Sequence, residues 1–277
     1  MTPDAVREAV AERVPFACTA TPGGLGRLEV VPSTGSTSTD LAAAAAADPD
    51  AWPDRSVLVT DHQTAGRGRA GRTWETPAGE ALTFSVLLRP AVPADRLGWL
   101  PLLGGLAVVQ ALGDLGLEAG LKWPNDVLVV DAGDHLPGWG RHRKVAGVLG
   151  DLGAGGVVLG IGLNVHQRVL PVPSATSLAL CGVDVERPAL LGAVLAYLVA
   201  LDERWRAADG DACAVDLAAQ CAAVCLTLGA HVRVSRPGGD VLAGDASGLT
   251  DHGALRVVDA AGATHVVLAG DVEHVRA

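Results

Sequence analysis

Three arginines are interspersed with glycines in the segment GRGRAGR, residues 66–72. Glycine lets the backbone turn sharply and approach a ligand closely, and planar guanidinium groups bind phosphate or carboxylate through paired hydrogen bonds. The segment follows SVLVT (residues 56–60), whose β-branched residues favour a strand, and it precedes Pro77 and Gly79, which end regular structure. We therefore predict a flexible loop that closes over an anionic substrate.

Two other interpretations of this loop compete with anion binding. The letters GRGRAG match the dinucleotide fingerprint GxGxxG, but that fingerprint requires a helix that begins on its glycines. The loop is followed instead by Pro77, Gly79 and the strand-like run LTFSVLL (residues 82–88). The second alternative is an arginine-rich surface loop that only faces solvent.

The rarity of lysine and asparagine points to further chemistry. Only two of the 21 Lys and Arg residues are lysine, Lys122 and Lys144, and the only asparagines are Asn125 and Asn164. The run LKWPNDVLVV (residues 121–130) predicts two strands joined by a rigid turn that presents Asn125 and Asp126 beside Lys122. A purely structural turn is the alternative. Lys144 begins a further predicted strand, KVAGVLGDL.

Two more segments place polar or small residues at the ends of predicted elements. GSTSTD (residues 35–40) carries more hydroxyls than the cap of the alanine-rich helix after it requires, so they can also bind a polar ligand. In the predicted strand of residues 157–165, Gly160 and Gly162 permit close approach of a flat group, and Asn164 can bind an adenine edge. A strand kept thin for packing is the alternative.

Composition limits the function classes. The formal net charge is −10 and the pI is about 5.2, which argues against a general nucleic-acid or acidic-membrane binder. No apolar run is long enough to span a bilayer, and the charged N-terminus lacks a signal-peptide core, so we expect a cytoplasmic protein. The five cysteines form no CxxC pair, and we expect Cys221 and Cys225 to be small buried helix residues. The sequence predicts neither a metal cage nor a hydrolase triad.

The predicted elements divide the chain into three parts. We expect a helical segment within residues 1–25, a mixed α/β part over residues 26–225 that ends with a helix at Ala212–Val224, and a C-terminal part over residues 226–277. The C-terminal part has short alternating strands and hairpin turns, one of them at Gly238-Gly239, which is typical of a small β-barrel.

The motifs GRGRAGRTW, KWPNDVLV, KVAGVLGD and GIGLNV, in this order and followed by a small barrel, resemble the biotin–protein ligases. The resemblance covers residues 26–277 and is to the branch without an N-terminal DNA-binding domain, which acts as a ligase only. It implies an α/β fold with a mixed β-sheet flanked by helices, as in class II aminoacyl-tRNA synthetases and biotin ligases. Residues 26–225 would form the catalytic biotin- and ATP-binding domain, and residues 226–277 a small SH3-like C-terminal β-barrel.

The resemblance also implies a reaction and a set of site residues. Biotin and ATP, with Mg²⁺, would form biotinyl-5′-AMP, and a lysine of a biotin carboxyl carrier domain of an acyl-CoA carboxylase would then accept biotin. The implied catalytic residues are Arg69, Lys144 and Lys122. The implied biotin contacts are Ser36, Thr37, Ser38, Gln63, Gly66, Arg67, Arg69, Lys144 and Gly147. The implied ATP contacts are Arg69, Arg72, Trp74, Lys122, Asn125, Asp126 and Asn164, with Asp126 also facing Mg²⁺. Ser38 is a departure, because the family usually has Asn there.

The physical chemistry agrees with this assignment. A carboxylate that attacks a polyphosphate needs its charge repulsion removed, and fixed cations do so without an acid–base residue. Two alternatives remain: a lipoate or octanoate ligase or transferase, and a non-catalytic anion- or RNA-binding protein. We expect a monomer or homodimer that binds neither DNA nor membranes.

Overall fold

The apolar runs between residues 27 and 164 form the strands of one large sheet in a computed structural model, which describes residues 1–17, 23–153, 155–236 and 239–275. Seven strands pair in the order β1-β2-β3-β7-β6-β5-β4, with β1 and β2 parallel and every other pair antiparallel. Their bounds are β1 Arg27–Val31, β2 Ser56–Thr60, β3 Ala81–Leu88, β4 Ala119–Lys122, β5 Asp126–Val129, β6 Arg143–Gly153 and β7 Gly156–Asn164.

Helices cover both faces of this sheet, as the sequence predicts. They are α1 Pro3–Ala11, α2 Thr37–Ala47, α3 Leu100–Asp114, α4 Arg187–Ala207 and α5 Leu217–Ala223. On one face, β3 residues such as Phe84 join the main core with α3 and α4. On the other face, Leu87 of β3 packs with Leu41 and Ala45 of α2. Because successive strand residues point to opposite faces, Ser85 also faces α2.

The sheet face that α2 covers is only partly filled by apolar side chains, so it has room for a site. Val158 of β7 packs under α2, but Gly160 and Gly162 follow at the same alternation and carry no side chain. The missing side chains leave a hollow between β7, the start of α2 and the loop after β2. One face of the sheet therefore lacks side chains at these glycines, while the opposite face is filled by the main core.

The predicted helix over Ala212–Val224 is shorter in the structure, where α5 begins only at Leu217. The carboxylate of Asp211 accepts hydrogen bonds from the backbone N–H groups of Cys213 and Ala214, at 3.0 and 3.1 Å. Asp216 then adopts a left-handed conformation with φ 58°. A side chain that competes for backbone donors, followed by a left-handed residue, keeps the first five positions out of the helix.

The two cysteines are buried as expected, but only Cys221 lies in a helix, because α5 ends at Ala223 and Cys225 forms an isolated β-bridge with Leu121. Cys221 and Cys225 are buried and free, and burial raises the pKa of Cys221 to about 12, so it stays protonated at neutral pH. Cys18 lies outside the described residues.

The C-terminal part forms a five-stranded antiparallel sheet of the small-barrel type, in the order β11-β10-β9-β8-β12. Its strands are β8 His231–Ser235, β9 Val241–Leu249, β10 Leu255–Val258, β11 Thr264–Val267 and β12 Asp271–His274. Gly238 of the predicted hairpin turn lies outside the described residues. The predicted fold class is confirmed, and the domain boundaries at residues 25 and 225 stay predictions.

Tryptophans join this small sheet to the large one. Trp99, just before α3, donates its indole N–H to the carbonyl of Asp251 at 2.8 Å, and Trp123 donates to the carbonyl of Gly253 at 3.0 Å. Within the described ranges, one helical stretch, Ala94–Asp114, has the length and composition to cross a membrane, and 67% of its most apolar window is buried inside the protein. That degree of burial is also what a core helix shows.

Candidate active site

A cavity of about 760 Å³ opens on the hollowed face of the large sheet. The start of α2, the arginine loop, the turn between β4 and β5, and strands β6 and β7 form most of its wall. The predicted site residues that line it are Ser36, Thr37, Ser38, Gln63, Arg67, Arg69, Arg72, Trp74, Lys122, Asn125, Asp126, Lys144 and Gly147. The structure thus brings together segments that are more than 100 residues apart in the chain.

One end of the cavity is a cluster of hydroxyl and amide groups. Ser36 caps α2, and Thr37 donates its backbone N–H and its hydroxyl to Gln63 Oε1, at 2.8 and 3.1 Å. Behind them, the hydroxyl of Ser85 lies 2.8 Å from that of Thr37 and 2.9 Å from that of Ser38. This network fixes the orientation of the groups that face the cavity.

Gly160 and Gly162 let protein side chains approach β7 closely, which is the packing alternative, and the close approach of a flat ligand stays a prediction. A Cβ at Gly160 would lie 2.4 Å from the Ser38 hydroxyl, and a Cβ at Gly162 would lie 2.5 Å from the ring of Trp74. The Trp74 ring also faces the Lys144 ammonium at 5.6 Å, and its buried Nε1–H has no acceptor among the described residues. Trp74 therefore lies between the hydroxyl cluster and the cations.

The other end of the cavity is cationic. Lys144, at the start of β6, forms an ion pair with Asp126 at 2.6 Å. Arg69 donates to Asn125 Oδ1 at 3.2 Å and to the carbonyl of Gly270 at 3.4 Å. Burial lowers the pKa of Lys122, opposed by the charge of Asp126, and burial also lowers the pKa of Arg69. Both groups lie in a partly desolvated place, where a positive charge acts strongly on an anion.

The arginine loop has a defined conformation. Gly68 N–H donates to the carbonyl of Arg72 at 2.7 Å, and Ala70 and Gly71 have φ angles of 52° and 74°. Arg67 pairs with Asp151 of β6 at 3.1 Å, and Arg72 pairs with Asp271 of β12. The loop is therefore connected to both sheets, and its predicted closure over a ligand stays a prediction.

The cavity wall does not include two of the predicted site residues. Asn164 is 5% exposed, and its side-chain N–H donates to the carbonyl of Thr176 at 2.9 Å while its oxygen accepts from Gln167 at 3.0 Å. These bonds use the amide inside the protein, and the contact of Asn164 with adenine stays a prediction. Gly66 is buried beneath Trp74, where its carbonyl accepts a hydrogen bond from the backbone N–H of Trp74 at 2.9 Å.

Sequence reasoning missed several residues of the site. Ser85 had a signal, because it is a hydroxyl inside the apolar run LTFSVLL. Trp139 lines the cavity from the loop between β5 and β6, and Asp271 and Glu273 reach it from β12. Local patterns carried no signal for these three, since their position depends on how distant elements pack.

The donor set near the cations suits Mg²⁺ only together with a phosphate ligand. No cluster of three or more His, Cys, Asp or Glu side chains that would hold a metal occurs in the described ranges. Mg²⁺ at nucleotide sites is commonly held by one or two carboxylates plus substrate phosphates. Asp126, at the cationic end, fits that role.

Comparison with known proteins gives the same class of fold. Residues 30–167 match the Biotin/lipoate A/B protein ligase family, and residues 227–275 match the Biotin protein ligase C terminal domain. The chain is 43% identical over 260 residues to the biotin--[acetyl-CoA-carboxylase] ligase of Mycobacterium tuberculosis, covering 91% of each chain. This chain belongs to the biotin protein ligase family.

Two further relatives differ in how much of their length is matched. The bifunctional ligase/repressor of Bacillus subtilis is 32% identical over 56% of this chain and 47% of its own length. The structure of the biotin protein ligase from Aquifex aeolicus in complex with biotin and ATP superposes with a TM-score of 0.72 at 28% identity, covering 91% of this chain and all of that one.

Proposed function

We propose that this protein activates biotin with ATP to biotinyl-5′-AMP and then transfers biotin to a specific lysine of a biotin carboxyl carrier domain. The observation that carries the proposal is one cavity with a hydroxyl and amide cluster at one end and Arg69, Lys122 and Lys144 at the other. A polar, uncharged ring system fits the first end, and a carboxylate beside a polyphosphate fits the second. The names of the relatives in Mycobacterium tuberculosis and Aquifex aeolicus support this assignment.

Activation requires two anions to meet. An oxygen of the biotin carboxylate forms a bond to the α-phosphorus of ATP, and the bond from that phosphorus to pyrophosphate breaks. Lys144 and Arg69 would offset the repulsion between the carboxylate and the α-phosphate, and Lys122 would bind the departing phosphates. Cations already fixed in place need no reorganisation as charge develops, which is the main source of rate in such reactions.

Mg²⁺, when bound, neutralises part of the phosphate charge. Asp126 would hold it together with phosphate oxygens. Lys144 already pairs with this carboxylate at 2.6 Å. The binding of ATP and Mg²⁺ would therefore change the ion pair between Lys144 and Asp126.

Transfer completes the reaction. The amine of the carrier lysine forms a bond to the biotinyl carbonyl carbon, the bond from that carbon to AMP breaks, and the attacking nitrogen releases a proton. AMP leaves with the electron pair of the broken bond. This step requires the mixed anhydride to be protected from water until the carrier arrives.

The hydroxyl and amide cluster favours biotin over lipoate or octanoate. The ureido ring of biotin offers two N–H donors and a carbonyl acceptor, which Ser36, Thr37 and Gln63 can satisfy. The ring of lipoate and the end of octanoate lack these groups and would leave buried polar atoms unpaired. Sites built for hydrogen bonding reject such analogues strongly.

We also propose the carboxylase carrier domain as the protein partner, in the cytoplasm, with the ligase acting as a monomer or homodimer and without DNA or membrane binding. The net charge of −10 supports the last point, because it repels nucleic acid and acidic lipid surfaces.

Transfer to a carrier tests the proposal. The purified protein is incubated with ATP, Mg²⁺, biotin and a carrier domain, and a streptavidin blot is expected to show one labelled carrier band. A carrier with its acceptor lysine changed to arginine is the matched control and should stay unlabelled. Labelling of the carrier by lipoate instead of biotin, or no labelling at all, would contradict the proposal.

A further inference from the structure

The two lysines of the cavity have different kinds of partner. Lys144 pairs with the carboxylate of Asp126 at 2.6 Å. Lys122 is 8% exposed, and the ion pairs found among the described residues do not include it. Its ammonium lies instead over the ring of Trp139, 3.9 Å from the centroid. A buried cation of this chain therefore rests on an aromatic face.

The loop that carries Trp139 is held from inside by a buried arginine. Arg143 is 6% exposed and donates to the carbonyls of His142 at 2.9 Å, Gly140 at 3.3 Å, and Asp134. Two backbone N–H groups close the tip of this loop: Trp139 donates to Leu136 O at 3.1 Å, and Gly140 donates to the same carbonyl at 2.8 Å. Gly138 and Gly140 have φ angles of 74° and 59°, which allow this tight path. Trp139 is thus presented to the cavity by a defined loop.

An aromatic partner and a carboxylate partner have different consequences for anion binding. A carboxylate neutralises an ammonium and competes with an incoming phosphate for its N–H donors. The face of an indole ring attracts a cation by its quadrupole but accepts no strong hydrogen bond. A lysine held by a ring therefore stays in place, charged, and keeps its donors for an anion.

We propose that Trp139 is a positioning residue for Lys122: its ring holds the ammonium in the cavity so that the lysine can bind the phosphates of ATP. This inference deepens the proposed function and rests on it. It assigns a part of nucleotide binding to the loop between β5 and β6, which carries none of the recognised motifs.

Charged groups from several strands surround Lys122 besides the ring of Trp139. Burial lowers the pKa of Lys122, and the nearby Lys144 lowers it further, whereas Asp126, Glu273 and Asp271 raise it. These groups belong to β5, β6 and β12, whereas the ring belongs to the loop between β5 and β6. Loss of the ring removes the contact that holds the ammonium among these charges, so Lys122 should bind the phosphates of ATP less well.

Two substitutions at Trp139 distinguish the effect of an aromatic ring from the effect of side-chain volume. Trp139→Phe keeps an aromatic face, and Trp139→Leu fills space without one. We expect Trp139→Leu to raise the KM for ATP about tenfold, while Trp139→Phe stays within about threefold of the parent. The KM for biotin should be unchanged in both.

Trp52→Leu is the matched control, because Trp52 forms a similar contact with Arg27, at 4.1 Å, outside the cavity wall. It should leave the KM for ATP unchanged. An equal effect of Trp139→Leu and Trp139→Phe, or no effect of either, would overturn the inference. Calorimetry of ATP binding to the parent protein distinguishes a failure of this inference from a failure of the proposed function. A parent that binds no ATP refutes the proposed function itself.

Discussion

Arg69 is the residue at which the arginine loop, the turn after β4 and the C-terminal sheet meet. Its guanidinium contacts Asn125 of that turn and the carbonyl of Gly270. A cation in this place can bind the phosphate and carboxylate oxygens of the adenylate, and such contacts would keep the loop closed over it. We predict that Arg69→Gly releases the intermediate, because both the charge and the two tethers are lost.

Bystander labelling measures this release. Biotin, ATP and serum albumin are added to the variant, and a streptavidin blot should show labelled albumin, which the parent leaves unlabelled. Arg69→Lys keeps the charge without the planar fork and should release less. If Arg69→Gly forms adenylate at the parental rate and labels no albumin, Arg69 does not retain the intermediate.

Lys144 is the cation that the proposed function assigns to the reacting carboxylate. It lies at the cavity between Asp126 and Trp74. We predict that Lys144→Ala slows adenylate formation by a factor of about 10² or more, the usual effect of removing a charge aimed at the reacting group. Single-turnover adenylation measures this rate. Arg233→Ala is the control, because it removes an exposed cation of β8 and should not change the rate of adenylation. Equal adenylation rates for the two variants would show that Lys144 is an ordinary surface cation.

At the scale of the element, β7 shapes the cavity because Gly160 and Gly162 carry no side chain. A Cβ at Gly162 would lie 2.5 Å from Trp74, and the ring would have to move. Overpacking of this kind costs about 1–3 kcal/mol, so we predict that Gly162→Ala raises the KM for biotin by about an order of magnitude. Gly248→Ala, in β9, is the control, because nothing lies within 4 Å of its added Cβ. Identical KM values for both variants would contradict a role of β7 in shaping the cavity.

The elements themselves were largely predictable from local patterns. The apolar runs at residues 56–60 and 82–88 form β2 and β3, and the capping hydroxyls within residues 35–40 mark where α2 begins. Periodicity and capping are local properties of the chain, so a sequence expresses them directly. The shortened α5 was missed because one aspartate competes for backbone donors and another adopts a left-handed conformation.

The site was predictable only where its chemistry coincides with a motif. The arginine loop and the KWPND turn carried their own signals. The positions of Trp139 and Asp271 depend on packing between elements that are far apart in sequence, and Asn164 is used by a buried network that no local pattern shows. Residue types thus indicate a chemistry, and tertiary packing decides which residues reach the cavity.

At the scale of the whole molecule, the two sheets share a buried polar contact. The Thr227 hydroxyl accepts the backbone N–H of Trp123 at 3.0 Å and lies 3.1 Å from His274 Nε2 in β12. We predict that Thr227→Val lowers the free energy of unfolding by about 1–3 kcal/mol, because a buried N–H loses its acceptor. Urea denaturation measures this change. Thr264→Val, at an exposed position of β11, should have little effect, and equal losses would show that the contact is not stabilising.

The central claim is that one cavity joins biotin to the α-phosphate of ATP, and its most direct test is biotin-dependent exchange of labelled pyrophosphate into ATP. The reaction needs no carrier protein, so it reports on activation alone. We predict exchange that requires biotin and Mg²⁺, is not driven by lipoate or octanoate, and falls about 10²-fold or more in Lys144→Ala. Exchange that proceeds without biotin, or equally well with lipoate, would contradict the account.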